Sequence, residues 1–150
     1  MDTIRRRVLK IHSVFLIFLG FSGVLISTAG WALGAGPYAF LQDNELGHVG
    51  LIQAYLLAML LGLVLWLGSK QEKPVMWNIV GAGVNACILV AYFLHWNLLG
   101  SLGPELPSIR NVVVCVHIGL VLLELWAAFY PGLREAPGGV SHSGTPARAA

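Results

Sequence analysis

Charge is the scarcest commodity in this chain of 150 residues: only 11% are Asp, Glu, Lys or Arg, against 57% apolar. A soluble domain needs a polar skin, and ordinary chains carry about a quarter charged residues. So sparse a set cannot coat a globule, which excludes an ordinary soluble domain and turns attention to the membrane class. No nucleic-acid partner is expected.

Cysteine is nearly absent as well. Cys87 and Cys115 are the only two. Both fall inside apolar runs, at depths of ~13 Å and ~5 Å from the outer boundary at ~1.5 Å per residue. They are poorly matched for a bridge, and read better as small core hydrophobes. No CxxC and no Cys/His zinc spacing occurs, so redox and structural-zinc roles have no support. Bis-histidine haem needs two imidazoles at matching depth, yet His117 lies ~8 Å inside its run while His48 and His95 stand near the surface. Neither a cofactor nor a metal is expected. Alternation of the kind that marks barrel strands is also missing.

What the chain does have is long apolar runs: Ser13–Leu33, Val49–Gly68, Val75–Trp96 and Val112–Tyr130. Each suffices to cross ~30 Å of hydrocarbon at ~1.5 Å rise per residue. Backbone groups in lipid must satisfy one another, so such runs are helices. Arg5, Arg6, Arg7 and Lys10 precede the first run, Lys70 and Lys73 separate the second and third, and Arg134 and Arg148 follow the fourth. Only Arg110 falls in a loop on the other side, which makes the basic face cytoplasmic. The tryptophans agree: Trp31 and Trp96 stand at outer ends, and Trp66, Trp77 and Trp126 near inner ones.

The expected fold is therefore an all-α membrane protein: a four-transmembrane-helix antiparallel (up-down-up-down) bundle with both termini cytoplasmic. Residues 1–12 form a basic N-terminus, 13–130 the transmembrane domain and 131–150 a disordered tail holding His142. The location that fits is the bacterial inner membrane. The opening RRRVLK resembles a twin-arginine export signal, but the run behind it exceeds a signal h-region of about 7–15 residues, so the first span is read as uncleaved. HVGL at His48 and HIGL at His117, with Gly36-Pro37 and Gly103-Pro104 in the outer loops, hint at a duplication.

Residues seven apart on a helix differ by only ~20° in direction and share a face. Arg110, His117 and Glu124 fall on one line of the fourth helix. Asn78, Asn85 and Tyr92 do so on the third, with His95 beyond them, and His48 aligns with Tyr55 on the second. Gly20, Gly23, Ser27 and Gly30 give the first helix a small-residue face suited to close contact. Polar groups facing lipid are costly, so these stripes should turn toward one another and form a polar interior concentrated in the outer half.

Glu124 is the most informative residue, because a carboxyl this deep must be protonated, paired or wetted. Either it serves as an acid/base group with His117, or it is held neutral by Asn78 or Asn85. His117 is equally open to a structural role, bonded to Gln53 or Thr28. His12, beside the basic cluster, reads as interfacial. Asp43, Asn44 and Glu45 read as a cap and first-turn acid of the second helix.

The function expected is binding of a small molecule or lipid in a pocket lined by His48, Tyr55, Asn85, Tyr92, His95 and Arg110. Three competitors stay open: a membrane enzyme using Glu124 and His117, a proton-coupled transporter, and an accessory subunit. Expected partners are the lipid bilayer, a small amphiphile, and a second copy or another membrane subunit.

Overall fold

The computed structural model describes residues 2–101 and 106–130. Helix α1 (Asp2–Leu33) runs for 32 residues, about 48 Å at ~1.5 Å each. It stops at Gly34, whose φ of +60° lies in the left-handed region where a Cβ is strained. A 3₁₀ turn (Ala39–Leu41) leads into α2 (Glu45–Gly68). Asn44 caps α2, its side-chain oxygen accepting from the Gly47 N–H at 2.9 Å, and Glu45 sits in the first turn. Proline opens α3 (Pro74–Leu94), where its missing N–H costs no helical bond. A short α4 (Trp96–Ser101) precedes α5 (Leu106–Phe129).

Helices α1, α2, α3 and α5 are long and apolar enough to cross a membrane, and no strand occurs among the described residues. The helices do not end where the apolar runs end. Helix α1 begins at Asp2 rather than Ser13, and α5 at Leu106 rather than Val112. Hydropathy marks what hydrocarbon tolerates, whereas backbone hydrogen bonding continues into the polar flanks. Helix α4 occupies part of what the sequence presents as a loop. Gly103, Pro104 and the tail from Pro131, with Arg134, His142 and Arg148, lie outside the described residues.

The distribution of polarity is inverted relative to a soluble domain. Arg5, His12, Ser13, Asn78, Asn85, His117 and Glu124 are buried. Phe18, Leu25, Leu57, Leu60, Val90 and Leu122 face outward. Such a surface is stable only against an apolar surrounding. Cys87 and Cys115 belong to this outer surface. They are not core residues, because each lies on the side of its helix turned away from the buried asparagine or histidine stripe.

The first turns of α1 tie the other helices together. Arg5 Nε donates to the Ala127 carbonyl of α5 at 2.9 Å, and Arg6 donates to the Ser69 carbonyl just past α2 at 2.9 Å. Leu9, Leu16 and Leu65 form the apolar core, with Leu61 and Trp77 packed against it. One turn beyond Leu9, Ser13 Oγ donates to the Gly62 carbonyl at 2.6 Å. At the other end of α1, the Trp31 ring stacks on His48 of α2, with centroids 4.8 Å apart. The basic end of the molecule thus holds the start of α1, and the loop end holds the 3₁₀ turn and α4.

Helices α1 and α2 approach closely because glycine lets them. A Cβ on Gly62 would stand 2.8 Å from the Ser13 carbonyl oxygen, a backbone atom that cannot swing aside. Gly83 has open space around it. Gly62→Ala should therefore cost about 1–3 kcal/mol through overpacking. Gly83→Ala should be neutral or stabilising by up to about 1 kcal/mol from helix propensity. Thermal unfolding of the two variants in detergent makes the comparison, and equal midpoints would show that the contact is not tight.

Candidate functional site

Two polar regions stand apart along the helices. The first is a buried network joining α1, α3 and α5. His12 Nδ1 lies 2.7 Å from Glu124 Oε1, and Asn78 Nδ2 donates to Glu124 Oε2 at 2.6 Å. Asn85 Nδ2 lies 2.9 Å from His12 Nε2 and donates to the Gly81 carbonyl at 2.9 Å. His117 Nδ1 lies 2.6 Å from Asn85 Oδ1. His12, Asn78, Asn85 and Glu124 have no exposed surface at all, and His117 retains 3%.

Asn85 decides where the hydrogens are. The Gly81 carbonyl can only accept, so the amide nitrogen of Asn85 faces it, and the same NH₂ group donates to His12 Nε2. That nitrogen is consequently unprotonated, and His12 is a neutral imidazole carrying its proton on Nδ1. Through Nδ1–H it donates a hydrogen bond to Glu124 Oε1, while Glu124 Oε2 accepts from Asn78. His117 donates through Nδ1 to the remaining Asn85 oxygen. The assignment rests on the pattern of partners, because hydrogens are inferred from the network.

Gly81 makes the cradle possible. A Cβ there would lie 2.9 Å from Glu124 Oε1 and 3.2 Å from His12 Nδ1, in the space the pair occupies. Among the described residues Asn78 Oδ1 is a buried atom with no partner.

The second region is a cavity of about 120 Å³ at the loop end. Tyr38, Tyr55, Tyr92 and Arg110 supply its polar lining, and Phe40, Leu51, Leu99, Leu106 and Ile109 the apolar remainder. The Tyr38 and Tyr55 hydroxyls are hydrogen-bonded at 2.6 Å. Arg110 lies over the Trp96 ring, its Cζ 3.7 Å from the centroid, and donates through Nη1 to the Trp96 carbonyl at 2.8 Å.

The expected site residues divide between these places. Tyr55, Tyr92 and Arg110 line the cavity; Asn85, His117 and Glu124 belong to the network. The structure brings Glu124 to His12 rather than to His117, with Asn85 between the two imidazoles. His48 stacks on Trp31, and His95 is the exposed residue closing α3; neither lines the cavity. Gln53 and Thr28 are exposed and give His117 no partner. Among the described residues no group of three or more His, Cys, Asp or Glu side chains could hold a metal ion.

His12 corrects the sequence reading: it is fully buried rather than interfacial. Its signal was available, since it follows Arg5 by seven residues and shares that residue's buried face. Tyr38 was missed because it stands in a connection, where helical periodicity says nothing. Comparison with protein-family models, curated proteins and solved structures finds no match to this chain.

Removing Asn85 takes a partner from both imidazoles at once. An unsatisfied buried polar group costs about 1–3 kcal/mol. Asn85→Ala should therefore lower the unfolding midpoint in detergent clearly, while His95→Ala leaves it in place. A midpoint for Asn85→Ala equal to that of His95→Ala would remove the network from the account of stability.

Proposed function

We propose that this is a small polytopic membrane protein that binds an amphiphile, a lipid or other small molecule, in its loop-end cavity. In this reading the four long helices run up, down, up and down as an antiparallel bundle in the bacterial inner membrane. The positive-inside pattern of Arg5, Arg6, Arg7, Lys10, Lys70 and Lys73 supports cytoplasmic termini, with the cavity facing the other side. The observation that carries the binding role is the cavity itself. It combines an apolar wall with four convergent polar side chains, the usual makeup of a ligand site.

The network argues for support rather than chemistry. Both oxygens of Glu124 and both nitrogens of His12 are engaged within the protein. Neither residue lines the cavity. Asn85 separates the imidazoles, and an amide does not pass protons along as water or a carboxyl group does. Tyr92 follows Asn85 by seven residues and Arg110 precedes His117 by seven, about two turns or ~10 Å. Holding α3 and α5 in register therefore also sets the two cavity residues they carry.

Native mass spectrometry of the protein extracted in mild detergent tests the binding role. A bound amphiphile should be retained by the parent chain and lost from Leu51→Trp, which fills the cavity from α2. Retention in the filled variant, or no bound mass in the parent, would overturn the assignment.

A second reading, proton coupling or acid/base chemistry, draws on the buried His12–Glu124 contact. Glu124→Gln separates it from the first. The substitution keeps an acceptor toward His12, and its new donor can meet the partnerless Asn78 oxygen after that amide rotates. Ligand retention should be unchanged in this variant. Loss of retention with the unfolding midpoint preserved would favour the titrating role.

A further inference from the structure

We infer that the loop-end cavity selects an amphiphile with an anionic oxygen head, a carboxylate or a phosphate monoester. The inference rests on the cavity being a binding site, and adds the chemistry of what it takes.

The polar lining consists of donors. Tyr38 and Tyr55 share one hydrogen bond, so whichever hydroxyl donates, the other keeps its own hydrogen for a third group. Tyr92 brings another hydroxyl, and Arg110 a permanent positive charge. Among the described residues no Asp or Glu contributes to the lining.

Arg110 is held but not neutralised. Its partners are the Trp96 carbonyl, the Trp96 ring, and the Asn111 side-chain oxygen at 3.4 Å from both Nε and Nη2. All are uncharged, and among the described residues no carboxylate pairs with it. A guanidinium has five N–H groups. These bonds use one each on Nε, Nη1 and Nη2, which leaves one on each Nη. Two N–H groups on a permanent positive charge suit the oxygens of a carboxylate or phosphate. A charge already stacked and oriented loses little freedom on meeting its ligand.

Size sets the rest. The volume of about 120 Å³ is small beside the ~300–1,000 Å³ of pockets that enclose drug-sized ligands. That suits a compact head with its first methylenes against Leu51, Leu106 and Ile109. The remaining chain continues along the apolar outer face of the helices, where hydrocarbon already lies.

The test uses the full chain in a neutral detergent with three probes: a long-chain fatty acid, its methyl ester and the corresponding alkyl phosphate. Binding is read by native mass spectrometry and by the shift in unfolding midpoint on titration. The fatty acid or the alkyl phosphate should bind at least about tenfold more tightly than the ester, and the tighter of the two identifies the head. Arg110→Gln should abolish that preference, and Arg110→Lys should keep part of it. Tyr55→Phe, which leaves Arg110 untouched, should weaken the anion about three- to tenfold, the worth of one hydrogen bond. Equal affinity for acid and ester would overturn the anion inference while leaving the cavity a binding site. Preference surviving in Arg110→Gln would also overturn it. Failure of all three probes, with Leu51→Trp unchanged from the parent, would remove both the inference and the reading beneath it.

Discussion

Hydrocarbon offers no hydrogen bonds, so a polar side chain on a membrane-spanning helix must find its partner inside the protein or remain unsatisfied. Asn85 is where that constraint is met most fully. One amide engages the Gly81 carbonyl of its own helix, His12 of α1 and His117 of α5. Through His12 the arrangement reaches Glu124, and through Glu124 it returns to α3 at Asn78. The circuit needs glycine at position 81, because any side chain there would occupy the space of the carboxylate. Helices α1, α3 and α5 are thus held by directional bonds whose loss would leave several groups unsatisfied together.

Helix α2 is held differently. Its contact with α1 depends on the absence of side chains at Gly62 and Gly20, where the two backbones come close. Ser13 adds a bond to the Gly62 carbonyl, and the leucines around Leu65 fill the remaining space. Dispersion between close surfaces replaces the hydrophobic effect, which has no force between helices already in lipid. Two modes of association therefore meet on α1, whose adjoining faces carry the polar circuit and the glycine contact.

The two polar regions differ in how completely they are satisfied. In the network nearly every donor and acceptor is used, which suits a part that must not move. At the cavity the hydroxyls and guanidinium retain unused donors, which suits a part that receives something. Only Asn78 Oδ1 and His48 Nε2 are buried without partners among the described residues, and neither lines the cavity.

Sequence alone determined the helical class, the four apolar spans and the stripes Arg110–His117–Glu124 and Asn78–Asn85–Tyr92. Segment length and seven-residue spacing are local properties, and lipid leaves the backbone no alternative to the helix. A helix cap at Asp43 or Asn44 was legible for the same reason, and the structure places it at Asn44. Pairing across helices was not, because periodicity gives a direction around one axis and says nothing of the neighbour met there. So His12, disguised by adjacent basic residues, emerged as the partner of Glu124 only when α1 was laid against α5. The division of the polar residues was likewise decided in three dimensions. Asn85 and Tyr92 share one face of α3, but the partners brought to each end of that face made one a support and the other a wall of the cavity.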